Sequence, residues 1–120
     1  MLKRIMLGVA AAALLAGPVV ADEFAPAVVY DLGGKFDKSF NESAYMGAEK
    51  FKADTGTDYR DFEIQNDSQR EQALRNFARR GANPVVAIGF SHANALEKVA
   101  KEFPDTKFAI VDMVVELPNV

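Results

Sequence analysis

The sequence has no cysteine and a single histidine, His92. Without a thiol there can be no disulfide framework, thiolate zinc site or cysteine nucleophile. One imidazole cannot build a three-histidine zinc site either. Basic residues are in deficit: 14 Lys and Arg stand against 17 Asp and Glu, for a net charge of −3. Phosphate contacts need a basic surface, so nucleic acid is a poor partner. Nucleotide signatures are missing too. Gly33-Gly34-Lys35 has Val29 where a Walker loop needs its first glycine, and no G-x-G-x-x-G occurs. No nucleophile-elbow serine or Ser-His-Asp arrangement is evident, which speaks against an exported hydrolase and for a protein that is not an enzyme.

What is there describes a soluble α/β domain. Hydrophobic residues make up 49% and charged residues 26% of 120 residues, a globular profile, with room for one lobe only. The start is a separate segment. Lys3 and Arg4 precede an apolar stretch from Ile5 to Ala16, Gly17-Pro18 break it, and Val19 and Ala21 put small residues at a cleavage site. Residues 1–21 therefore read as a cleavable secretory signal peptide, too short for the roughly 20 apolar residues of a transmembrane span. No cysteine follows to carry a lipid, so the expected product is a soluble periplasmic protein, residues 22–120, and not a lipoprotein.

The remainder alternates short apolar runs with helical patterns. Ala27–Tyr30, Tyr59–Gln65, Val85–Ile88 and Lys107–Val111 read as strands. Between the first two, Ser39 to Lys52 carries a helical stripe of Phe40, Ala44, Gly47, Ala48 and Phe51 and ends near Gly56. A second helix carries Ala73, Leu74, Phe77 and Ala78, stopped by Gly81 and Pro84. A third begins at Ser91 or His92 and carries Ala93, Leu96, Val99, Ala100 and Phe103. Ser39 with Glu42, and Ser68 with Glu71, have capping-box spacing. Four strands alternating with three helices imply right-handed crossovers and a Rossmann-like parallel sheet with flanking helices.

Such sheets bind ligands outside the carboxyl ends of their strands, which singles out the residues after Tyr30, Ile88 and Val111. Asp31 follows the first strand. Asp is depleted in strands, and one placed directly after a buried strand needs partners. Phe40 either stacks on a ring or anchors the first helix in the core, and Asn41 can donate to and accept from ring heteroatoms. Asp37 and Ser39 suit helix capping better than binding. Gly89 allows close approach to the backbone, and Phe90 is an apolar wall or a cover for the sheet edge. Asp112 is a second carboxylate able to accept from paired hydroxyls, or a solvated one. His92, with no metal or nucleophile partner, is expected in solvent.

Gly33-Gly34-Lys35-Phe36-Asp37-Lys38-Ser39-Phe40-Asn41, followed by Ala44-Tyr45-Met46-Gly47, resembles the N-terminal signature of the basic membrane protein family. These are the nucleoside-type substrate-binding proteins of ABC transporters. Val86–Phe90, Val99–Asp105, Lys107–Asp112 and Leu117–Val120 are similar to the family as well. The resemblance implies the N-terminal lobe of a type I periplasmic-binding-protein fold, here in part. It implies a monomer that captures a nucleoside-like small molecule, purine type favoured, for an inner-membrane ABC permease. No metal or cofactor is implied. Carried over, Phe40 would stack on the base and Asn41 would meet its polar edge. Asp31 and Asp112 would face the ligand, and Gly89 and Phe90 would line the cleft. A sugar, riboflavin or other small polar ligand is the alternative, as is a fragment that binds nothing.

Overall fold

The computed structural model describes residues 23–120; the expected signal peptide, 1–21, lies outside the described residues. The elements run β1 Ala27–Tyr30, α1 Phe40–Thr55, β2 Arg60–Glu63, α2 Gln69–Arg79, β3 Val85–Ile88, a 3-10 turn Phe90–His92, α3 Ala93–Glu102 and β4 Phe108–Val111. The four strands form one sheet in the order β2-β1-β3-β4. Every neighbouring pair is parallel, with Val29 opposite Phe62 and Ala87, and Ile88 opposite Val111. The α/β parallel sheet with flanking helices is therefore as the alternation predicts. Among the described residues no helix is long and apolar enough to cross a membrane.

The order places the two apolar, turn-bounded strands in the middle. All four residues of β1 are buried, and β3 is nearly so, as two-sided coverage requires. The strands β2 and β4 are edges, and they are shorter than expected: β2 lacks Tyr59, Ile64 and Gln65, and β4 starts at Phe108, although the Lys107 carbonyl still accepts the Val85 amide at 2.9 Å. Alternate residues divide the core. Ala27, Val29, Val85, Ala87 and Phe108 pack with Leu74, Phe77, Leu96 and Val99 from α2 and α3. On the opposite face Val28, Tyr30 and Ile88 meet Ala44 and Tyr45 of α1. Gly56 ends α1 at φ 70°, its amide bonded to the Lys52 carbonyl at 2.9 Å, a left-handed C-terminal cap.

Three local expectations are corrected. Neither capping box forms: the Ser39 and Ser68 side chains make no cap hydrogen bond to their helices. Asp37, expected with Ser39 to cap, does cap α1, accepting the amides of Ser39 (2.9 Å), Glu42 (3.0 Å) and Asn41 (3.2 Å). A carboxylate accepting three amides at a helix start outcompetes a hydroxyl. The α1 stripe keeps Ala44, Ala48 and Phe51 half-buried as expected, but it is corrected at Phe40 and Gly47, which are exposed. Asn41 is the only fully buried residue of α1, and Phe40 points outward. The buried side is Asn41, Ala44, Tyr45 and Ala48, still at helical spacing. Asn41 faces inward beneath the end of β1, where its side chain bonds the backbone of Asp31 and Leu32. The third correction is His92, which is fully buried rather than solvated.

Candidate functional site

Parallel strands put Asp31, Gly89-Phe90 and Asp112 at one edge of the sheet. Gly89 and Asp112 directly follow the paired residues Ile88 and Val111. Asp31 and Asp112 are two strand spacings apart, roughly 10 Å along the edge. Between β1 and β3 the chain order reverses direction across the sheet, from β2-β1 on one side to β3-β4 on the other. That is the crevice where ligands of open α/β sheets lodge.

The loop from Asp31 to Asn41 is held from within. Asn41 is 1% exposed. Its Oδ1 accepts the Asp31 amide at 3.0 Å, and its Nδ2 donates to the carbonyls of Asp31 (3.0 Å) and Leu32 (3.2 Å). Both amide hydrogens are thus committed to the backbone, and the side chain acts as a strut under the loop. Burial alone would raise the Asp37 carboxyl, but the amides it accepts from Glu42, Ser39 and Asn41 hold it below the usual range. On the β2 side, Lys35 bonds Glu63 through its amide (2.9 Å) and Asp61 through Nζ (2.9 Å). Gly34, at φ 74°, passes so close to Glu63 that a Cβ would lie 2.8 Å from its Oε1.

Phe40 emerges from this braced loop 43% exposed, and Phe90 stands 62% exposed after β3. Exposed aromatic faces suit stacking on a planar ring. Asp112 is exposed and sits at φ 69°, a left-handed conformation that Asp tolerates better than most residues. Gly89 makes room for a neighbouring side chain. At φ 112° it is buried, and a Cβ there would lie 2.6 Å from Asp31 Oδ2. The close neighbour of its backbone is the Asp31 carboxylate.

Arg70, which sequence reasoning missed, and His92, which it expected in solvent, complete this region. Arg70 is 5% exposed and pairs with Asp31 at 2.7 Å and Asp67 at 2.8 Å. Its Nη1 also lies 3.3 Å from His92 Nε2. Burial, and then the Arg70 charge, push the His92 imidazole down to about 4, so the ring is neutral near pH 7. Arginine can only donate, so Nε2 accepts and the proton sits on Nδ1. Among the described residues that Nδ1 has no partner meeting hydrogen-bond geometry, although the Tyr30 carbonyl favours the charged ring. One signal for Arg70 was legible: a cation in the first turn of a helix opposes the dipole and needs acids nearby.

A cavity of about 410 Å³ lies between α3 and the segment after β4, lined by Ala93, Asn94, Glu97, Met113, Val115 and Leu117 among others. Asp31, Phe40 and Phe90 are not in its walls, so it flanks the strand-end crevice. Among the described residues no group of three His, Cys, Asp or Glu side chains is placed to hold a metal.

The family model for Bmp, described as ABC transporter substrate-binding protein PnrA-like, matches residues 24–120. The chain belongs to the Bmp family. Its relatives include an uncharacterized lipoprotein of Pyrococcus furiosus, 36% identical over 87 residues, covering 72% of this chain and 22% of that protein. The ABC transporter nucleoside-binding protein BmpA of Lactococcus lactis is 31% identical over 101 residues, covering 81% of this chain and 29% of the relative. An ABC transporter solute-binding protein of Aeropyrum pernix K1 superposes with a TM-score of 0.73 at 31% identity, over 79% of this chain and 26% of that one. The chain thus spans about a quarter of the length of these relatives. The lipoprotein name runs against the expectation of an unlipidated protein, while this chain itself has no cysteine to carry a lipid.

Proposed function

We propose that this chain forms one wall of a nucleoside-binding cleft in a periplasmic substrate-binding protein that serves an ABC importer. The observation that carries the reading is the grouping of two exposed aromatics, Phe40 and Phe90, with two carboxylates, Asp31 and Asp112, at one edge of a parallel sheet. The Bmp family match and the nucleoside-binding name of the Lactococcus lactis relative support the same chemistry. Phe40 stacks on the base and Phe90 walls the crevice. Asp112 accepts from sugar hydroxyls, and Asp31 accepts from a second donor beside Gly89. Asn41 serves the ligand indirectly, by holding Asp31 and the root of Phe40. The protein binds without chemical conversion, acts as a monomer, is exported by cleavage after Ala21, and delivers its ligand to an inner-membrane permease. A second lobe supplies the opposite wall.

The reading is tested by titrating residues 22–120 with adenosine, guanosine, inosine and uridine in a calorimeter, with riboflavin and ribose alongside. Stacking of a base on an aromatic is worth about 1–3 kcal/mol. Phe40→Ala should therefore weaken nucleoside binding about tenfold while the circular dichroism spectrum is retained. Unchanged affinity removes the stacking role. Preference for riboflavin or ribose redirects the site to those ligands, and silence toward every compound sinks the reading for this chain.

A further inference from the structure

Asp31, Arg70 and His92 come from three different elements and meet behind the strand ends. Asp67 alone, one turn before Arg70, could neutralise that guanidinium, and it does so through Nη2 and Nε at 2.8 and 2.9 Å. Arg70 nevertheless turns inward, with its side chain 7% exposed, and directs Nη1 at Asp31 Oδ1. Burying such a pair is weak evidence of stabilisation, since an apolar replacement is often as stable. What the arrangement does accomplish is orientation. Asp31 Oδ1 receives both Arg70 Nη1 and the Leu32 amide, each at 2.7 Å. Oδ2 lies over Gly89, where only the missing Cβ leaves room for it. His92 Nε2 stands behind Nη1 as a neutral acceptor. The carboxylate keeps 20% exposure, enough for a ligand to reach.

We propose that Arg70, held from behind by His92, is a positioning residue that fixes the Asp31 carboxylate as an oriented acceptor for a ligand donor in the strand-end crevice. The proposal rests on the ligand site described under the proposed function. An acceptor already held in its bound geometry does not have to be ordered on binding, and that saving appears as affinity.

The test is a coupling measurement with adenosine on residues 22–120. Arg70→Gln should weaken binding at least tenfold, and Arg70→Lys should recover part of the loss. In an Asp31→Asn background, Arg70→Gln should weaken binding no more than about twofold further, because its action runs through that carboxylate. Losses that simply multiply in the double variant overturn the positioning role. If Arg70→Gln does not fold, nitrogen NMR of wild-type His92 still decides. An unprotonated Nε2 at pH 7 is expected, and a proton on Nε2 overturns the proposal because Arg70 could not then donate to it. Wild-type silence toward adenosine and the other nucleosides sinks the ligand site and this role together. Binding by the wild type with multiplicative losses sinks the role alone.

Discussion

On the side covered by α2 and α3, strand residues Ala27, Val29, Val85 and Ala87 close against Leu74, Phe77, Leu96 and Val99. On the α1 side Val28, Tyr30 and Ile88 meet only the half-buried Ala44, Tyr45, Tyr59 and Val86. The second face also keeps Val111 41% exposed, and it buries a Tyr30 hydroxyl that has no hydrogen-bond partner among the described residues. Burial drives that hydroxyl well above the usual tyrosine range, so it stays protonated. A buried hydroxyl left without a partner costs about 1–3 kcal/mol, which offsets part of what this face gains by burial. The difference separates labour within one sheet. The α2/α3 side holds the fold, and α1, freed from that task, presents Phe40 outward with Asn41 as its only buried anchor.

The largest test of this division compares two truncations. Leu74→Ala should destabilise by about 2–5 kcal/mol, since it empties a fully buried site. Tyr45→Ala should cost about 1 kcal/mol, because that ring is half-buried and leans edge-on against Phe36 at 5.2 Å. Urea unfolding measures both, and equal losses would erase the distinction between the faces.

A second test sharpens the boundary at His92. Its folded value of about 4 lies below the ordinary 6.5, so the unfolded chain takes up the proton first as pH falls. The stabilisation is whole above about pH 6.5 and is lost on descent toward pH 4, amounting to on the order of 3 kcal/mol. The fall in urea midpoint between about pH 7 and pH 4.5 should be smaller in His92→Gln than in the wild type. Equal falls would assign the pH dependence elsewhere. The smallest expected effect is on the open face, where Val111→Ser should change stability by no more than about 0.5 kcal/mol. A loss above about 2 kcal/mol would mean that this strand end is packed in solution.

The fold was largely legible because its signals are local. Four buried residues in β1, the Ala73-Leu74-Phe77-Ala78 stripe, and Gly56 and Gly81 each act within a few positions of themselves. The candidate site was legible as a place, since strand ends follow from strand assignments, but its internal wiring was not. Periodicity placed Phe40 in the stripe, because no apolar pattern records that an asparagine can substitute for backbone partners at the end of β1. S-x-x-E spacing favoured Ser39, although the acid at position 37 had the better charge for the task. Arg70 and His92 are 22 residues apart; Arg is mostly exposed and His only intermediate in burial, so only the folded chain shows that they share one buried cluster.

The bracing of the loop from Asp31 to Asn41 has a kinetic side. Its strand end is tied by Asn41, its helix end by Asp37 and its flank by Lys35 to β2. A loop so fastened has little slack to lose when a small molecule arrives. At the proposed site, encounter with this wall then needs no folding step, and differences in dwell time between ligands will report the contacts they make with it.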